Sequence, residues 1–190
     1  PLHTAVWTRP TFIGRAHCAA LRTAVDADCS QGRDTVDGAS DHQLNLSTEA
    51  LCTLLGSPTF ARLTQLACQY YTHLPRAEAS GEQAARGDCV VPSGILVRKY
   101  SPDTRPWIPF HCDSAAVTIN IALRDDEPGA GGALLVVAGN QIRHVQRGEG
   151  DATVHASTIL HGVTRTTAGL RYSLIVFFDP APREEANMNT

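Results

Sequence analysis

Several things are missing from this 190-residue sequence, and each absence removes a class of function. No apolar run approaches the roughly 18 residues of a membrane-spanning helix, so no span is expected. No Cys-x-x-Cys pair occurs among the six cysteines (Cys18, Cys29, Cys52, Cys68, Cys89 and Cys112), which leaves a zinc ribbon or a thioredoxin-like redox site without support. Their even number permits disulfides, and several sit on amphipathic segments, where a cysteine behaves as a small buried apolar residue. Sixteen basic residues against nineteen acidic ones give a net charge of -3. No basic stripe stands out, so nucleic acid is not an expected partner. The chain opens on Pro1 without a basic-then-apolar segment, so it is expected to be processed or a piece of a longer protein.

What is present is globular: 43% hydrophobic and 18% charged residues in a length that suits one domain with a substantial core. We divide residues 1–190 into a helical buttress (1–88), a β-rich core (89–182) and a polar tail (183–190). A short β-like stretch covers residues 5–7. Over residues 14–28, Cys18, Leu21, Val25 and Cys29 recur at helical spacing. Residues 30–43, rich in Gly, Ser and Asp, read as a loop. Ser47 and Thr48, ahead of Leu51 and Leu54, offer an N-cap to a short helix that Gly56 ends, and Ser57-Pro58 starts another whose face is Phe60, Leu63, Leu66, Ala67 and Tyr70. Pro75 closes it, and 77–87 is a polar connector.

Beyond Cys89 the texture is β. Strands are expected over 95–100, 117–123, 133–137, 141–145, 152–155 and 171–178, separated by turns such as 128–132, a pattern of sandwiches and barrels. In 117–123, Ile119, Ile121 and Leu123 share a face that needs a core, while Thr118, Asn120 and Ala122 suit the wall of a wet cavity.

One short stretch, Pro109-Phe110-His111-Cys112-Asp113, organises the core. His111 and Asp113 are two apart, so on an extended strand both leave one face, with Cys112 on the other. His161 arrives 50 residues later from another strand and can supply a third ligand. Two imidazoles and a carboxylate on one side of a metal match the facial triad of non-haem Fe(II) oxygenases. Arg171 opens the apolar run Arg-Tyr-Ser-Leu-Ile-Val-Phe-Phe, where a guanidinium is costly to bury unless an anion meets it. A metal triad with a buried anion receptor describes a co-substrate such as 2-oxoglutarate.

These residues bring a family into view. Phe110-His111-Cys112-Asp113-Ser114 followed by Thr118-Ile119-Asn120-Ile121-Ala122-Leu123, then Gly131-Gly132, Gly150-Asp151-Ala152, His161-Gly162-Val163, Thr166 to Tyr172 and Phe178-Asp179-Pro180 resemble the Fe(II)- and 2-oxoglutarate-dependent dioxygenases of the prolyl and lysyl hydroxylase superfamily. Procollagen lysyl hydroxylase catalytic domains are the nearest likeness. The resemblance covers roughly residues 95–180. It implies an α+β protein with a mainly β core, a double-stranded β-helix (jelly roll) with the N-terminal helices packed against its sheet. It makes His111, Asp113 and His161 the metal ligands and catalytic centre. Arg171 becomes the partner of the 2-oxoglutarate distal carboxylate, Ser173 a hydroxyl donor to it, and Tyr100 the tyrosine such hydroxylases carry ahead of the metal strand. Fe(II) is the implied cofactor, 2-oxoglutarate the co-substrate, and a requirement for ascorbate is compatible with it. One position departs: prolyl hydroxylases often place a tyrosine three residues before the first ligand, and here it is Ile108.

The implied reaction hydroxylates an unactivated C–H bond, on a lysyl or prolyl side chain of a protein or peptide, with release of succinate and CO2. Alternatives are a free amino acid or other small metabolite as substrate, a metal-binding jelly-roll module without catalysis, and, less well supported, a zinc hydrolase. His155 is expected to be a structural residue near the cavity and His144 has no assigned role. Arg98, Lys99 and Arg105 read as solvated or as facing an acidic substrate segment.

Overall fold

The alternation in Val117–Ala122 sets the architecture. Ile119 and Ile121 are completely buried on one face, against helices; Thr118 and Asn120 leave the other, against a second sheet. The computed structural model describes residues 6–28, 31–74 and 89–182. In chain order the elements are β1 (Trp7–Arg9), α1 (Arg15–Ala27), β2 (Gln31–Arg33), β3 (Ser40–Asn45), α2 (Thr48–Leu55), α3 (Ser57–His73), β4 (Val90–Tyr100), β5 (Ile108–His111), β6 (Val117–Ala122), β7 (Leu134–Ala138), β8 (Gln141–Val145), β9 (Ala152–Ala156), β10 (His161–Val163) and β11 (Arg171–Pro180). Two antiparallel sheets result, one of seven strands in the order β1-β9-β6-β11-β4-β3-β2, the other of four in the order β5-β10-β7-β8. The expected mainly β jelly roll with helices on its sheet is what forms.

The helices form where periodicity and caps place them. Cys18, Leu21 and Val25 are the buried stripe of α1. Ser47 Oγ accepts the Ala50 N–H at 3.1 Å at the start of α2, and Pro58 lies in the first turn of α3. Leu63, Leu66, Ala67 and Tyr70 then bury into one core with Val97, Ile119, Ile121, Leu174 and Val176 of the large sheet. At about 25 cal/mol per Å² of apolar area, burial of this kind is the dominant favourable term. The polar tail, the 77–87 connector, Pro75, Cys29 and Ala5 lie outside the described residues.

Residues 31–45 differ from expectation. Most of this segment, read as a loop, is the hairpin β2–β3, which extends the large sheet beyond β4. The strand was concealed because its inward side chains are polar and meet buried cations in place of a core. Arg98 Nη2 donates to Gln43 Oε1 at 2.8 Å and lies 2.7 Å from Asp34 and 2.9 Å from Asp41. Arg105 pairs with Asp37 at 2.9 Å and Asp34 at 3.4 Å. Arg98 and Arg105 are therefore buried structural cations, not solvated ones, and Lys99 pairs with Asp26 at 2.6 Å.

Gly150 joins the start of α1 to the end of β6. Its N–H donates to the Ala122 carbonyl at 2.8 Å, and its own carbonyl accepts from the N–H groups of Phe12 (2.8 Å) and Ile13 (3.2 Å). Its φ is +88°, and a Cβ there would sit 2.2 Å from the Ile13 carbonyl oxygen. Gly150→Ala should therefore cost about 2–4 kcal/mol, the range of strained backbone combined with a steric clash. Urea unfolding checks this; an unchanged midpoint would contradict it.

Cys68 of α3 and Cys89, just before β4, hold their Sγ atoms 2.8 Å apart as free thiols. Glutathione disulfide should join them by thiol–disulfide exchange, releasing two glutathione thiols. A closed loop of this length stabilises by about 3 kcal/mol. Thiol titration and melting before and after oxidation check it; two thiols that persist in excess oxidant would contradict it.

Candidate metal centre

The register of the small sheet brings two imidazoles together. His111 ends β5 directly opposite His161 of β10, and their ring centroids are 4.3 Å apart. Asp113 lies two residues past the end of β5. Its Oδ1 is 3.6 Å from His111 Nε2, and its Oδ2 is 3.7 Å from His161 Nε2. One ligand atom from each of the three residues lies within 4.8 Å of the others, and among the described residues this is the grouping of His, Cys, Asp and Glu able to hold a metal ion. Cys112, between His111 and Asp113, is exposed.

Neighbouring groups fix how these ligands face. His111 Nδ1 lies 2.8 Å from the Pro109 carbonyl and His161 Nδ1 lies 3.0 Å from the Ile159 carbonyl. A carbonyl only accepts, so both imidazoles carry their proton on Nδ1 when neutral and aim the Nε2 lone pair toward Asp113. Thr118 Oγ1 donates to Asp113 Oδ2 at 2.6 Å. Two nitrogen lone pairs and a carboxylate facing one point make a set of acceptors that a divalent cation satisfies, with the outer hydrogen bonds that such ligands carry. The donor set thus fits a divalent metal ion.

Electrostatics agree with this geometry. Burial would raise the Asp113 pKa, but His111, the charges of His161 and His155, and the Thr118 hydroxyl together hold it well below the ordinary carboxylate range. Burial likewise lowers His111, yet the Asp113 carboxylate and the Pro109 carbonyl outweigh it, and its pKa rises. For His161 burial prevails and the shift is downward. His155 is completely buried; burial, then repulsion from His161, push its pKa down to about 4. Its ring sits 4.4 Å from that of His161, and its Nε2 is 3.9 Å from Asp113 Oδ2. That places it beside the centre, as expected.

The three residues open onto a cavity of about 430 Å³ whose walls include Tyr100, Ile108, Thr118 and Asn120, with Thr35 and Val36 of the β2–β3 turn. Arg171 and Ser173 are not on this wall. The Arg171 guanidinium carbon sits 4.7 Å over the ring of Tyr100, which does line the cavity. Arg171 is buried and none of its three side-chain nitrogens has a hydrogen-bond partner among the described residues; the same holds for Ser173 Oγ, which is completely buried. Gly132 makes room for this arginine: a Cβ there would lie 2.9 Å from Arg171 Cδ. Buried orphan donors of this kind are costly without an anion. Tyr100 thus lies between the metal-side cavity and Arg171.

Sequence reasoning missed Thr118 as the donor to Asp113, although its polar place in an alternating strand marked the cavity wall. It also missed Thr35 and Val36, hidden in the apparent loop, and the buried Arg147, which reads as an ordinary surface charge.

No protein-family profile matches the sequence, and no curated protein matches it. Solved structures do. A prolyl-4-hydroxylase from Pseudomonas putida superposes with a TM-score of 0.66 at 17% identity, over 95% of this chain and 94% of that one. A prolyl hydroxylase from Trichoplax adhaerens, in complex with a hypoxia-inducible-factor oxygen degradation domain peptide, gives 0.69 at 12% identity over 93% and 84%. HygX from Streptomyces hygroscopicus, with nickel and 2-oxoglutarate bound, gives 0.62 at 13% over 99% and 91%. The fold is theirs. The alignments span nearly the whole chain, so the N-terminal helices belong to the shared architecture as much as the two sheets do. The finer likeness to procollagen lysyl hydroxylases rests on the sequence motifs alone.

Proposed function

We propose that this protein is an Fe(II)- and 2-oxoglutarate-dependent dioxygenase that hydroxylates an unactivated C–H bond, on a lysyl or prolyl side chain of a protein or peptide, releasing succinate and CO2. One observation carries the reading: His111, Asp113 and His161 converge at a cavity whose Tyr100 wall backs onto a buried arginine that has no hydrogen-bond partner among the described residues.

Fe(II), held by His111 Nε2, Asp113 and His161 Nε2, would supply the activation of dioxygen. The chain's residues do the rest. The Pro109 and Ile159 carbonyls keep both imidazoles in the ligating tautomer, and Thr118 holds one Asp113 oxygen in place. Arg171 and Ser173 would bind the distal carboxylate of 2-oxoglutarate through charge-assisted hydrogen bonds, and the Tyr100 hydroxyl would contact the same co-substrate. Ile108, Leu134 and Val163 give the cavity an apolar side that keeps water from the reacting centre. Nothing here calls for an acid–base dyad, so His155 is assigned none. Ser173→Ala should weaken 2-oxoglutarate binding by about 1 kcal/mol, one hydrogen bond; calorimetry checks it, and unchanged affinity would remove Ser173 from the site.

The peptide complex of the Trichoplax enzyme supports a peptide substrate. A free amino acid or other small metabolite is favoured by a different observation: Thr35 and Val36 border the cavity from a turn pinned by Asp34 and Asp37 to Arg98 and Arg105. Succinate release with Fe(II) and 2-oxoglutarate, measured against panels of lysyl and prolyl peptides and of free amino acids, decides between them. Stimulation by a peptide panel alone supports the first reading, by amino acids alone the second. A protein that binds metal yet consumes no 2-oxoglutarate with any of them would be a binding module instead.

A further inference from the structure

Arg147 has no role in the reading above, yet its surroundings are those of a binding residue. It follows β8 in the polar turn Gln146-Arg147-Gly148 and is only 3% exposed. Its Nη1 donates to Asn120 Oδ1 at 2.9 Å, and Asn120 lines the metal-side cavity. Its Nη2 comes no closer than 3.8 Å to Asp126 Oδ1, and neither Nη2 nor Nε has a hydrogen-bond partner among the described residues.

Sheet register relates this guanidinium to the other orphan donors. Asn120 lies opposite Thr153 of β9 and Ile175 of β11, so these three share a face, and Ser173 and Arg171, two and four residues before Ile175, share it too. Thr153 Oγ1, Ser173 Oγ and all three Arg171 nitrogens have no hydrogen-bond partner among the described residues. Two buried guanidiniums thus approach one patch of hydroxyls with Asp126 as a distant counter-charge. Burial, and then the charge of Arg171, push the Arg147 pKa down to about 9; an anion between them would reverse that repulsion. A carboxylate has about four acceptor sites. The fork of Arg171 fills two, leaving places for Ser173 and a further donor.

We propose that Arg147 is a second co-substrate-binding residue, held by Asn120, that grips the distal carboxylate together with Arg171. The inference rests on the reading of Arg171 as the co-substrate anchor and adds to it: the protein selects a 2-oxo acid by its distal charge through two guanidiniums.

The test compares two ligands of equal chain length, 2-oxoglutarate and 2-oxopentanoate, the second without the distal carboxylate. Dissociation constants are measured without oxygen on the Mn(II)-loaded protein. Arg147→Gln should weaken 2-oxoglutarate by about ten-fold or more, as for a hydrogen bond to a charged group, and leave 2-oxopentanoate unchanged. Arg147→Lys, gentler on folding, should show a smaller loss of the same selectivity. Asp126→Asn, which removes the competing anion, should leave 2-oxoglutarate binding as tight or tighter. Equal weakening of both ligands, weakening of neither, or a matching loss in Asp126→Asn would make Arg147 a structural partner of Asp126 and overturn the inference. Arg171→Gln separates the two claims. If it alone loses selectivity, the anchor stands and the Arg147 inference fails; if it too keeps wild-type selectivity, both fail.

Discussion

Asp113→Ala should leave a folded protein that neither retains a divalent metal ion nor turns over 2-oxoglutarate. The substitution removes the one anionic ligand and leaves two neutral imidazoles, both weakened as ligands by any competing proton. Loss of an outer-shell partner alone typically costs 10–100-fold in metal affinity, so loss of a ligand should exceed roughly 100-fold. Stability should change little. Thr118 loses its acceptor, at about 1 kcal/mol, but the core of α1–α3 against the large sheet does not involve the site. Circular-dichroism melting with metal analysis and a succinate assay checks all three points. A variant that still binds iron and turns over would mean that Asp113 is not a ligand.

Arg171→Lys should weaken 2-oxoglutarate binding markedly although the charge is kept. The guanidinium carbon sits 4.7 Å over the Tyr100 ring, and a guanidinium presents its nitrogens as a planar fork; an ammonium neither stacks on a ring in that way nor donates two parallel hydrogen bonds. With bonds to charged groups worth about 1.5–3 kcal/mol, the loss should be about ten-fold or greater, well above that of Ser173→Ala. Calorimetry on the metal-loaded protein measures it. Wild-type affinity in the lysine variant would rule out Arg171 as the anchor.

The parts of this protein legible in its sequence are those where one residue class has one use. Ile119, Ile121 and Leu123 alternating with Thr118 and Asn120 could only be a strand between a core and a cavity. His111, Asp113 and His161 stood out because their types and order match a known ligand set, and the paired register of β5 with β10 is what makes a separation of 50 residues in sequence a contact in space. Arg171 stood out because a cation opens an apolar strand. What escaped notice had its physical explanation elsewhere in the chain. The strand β3 carries polar residues because Arg98, from β4, is buried beside it. Arg147 looks solvated because Asn120 and the charge it faces are supplied by distant segments. Tyr100 was expected at the co-substrate; its place between the cavity and Arg171 follows from the pairing of β4 with β11, which sets Tyr100 opposite Arg171.

The central claim is that one metal ion at His111, Asp113 and His161 and one 2-oxoglutarate anchored at Arg171 occupy a shared site. An anaerobic titration of 2-oxoglutarate, with and without one equivalent of Fe(II), tests it most directly. Linkage requires each ligand to strengthen the other. We predict a single Fe(II) per chain and 2-oxoglutarate binding about ten-fold or more tighter in its presence, with that gain absent in Asp113→Ala. An affinity for 2-oxoglutarate indifferent to Fe(II), or a gain that survives in Asp113→Ala, would contradict the account.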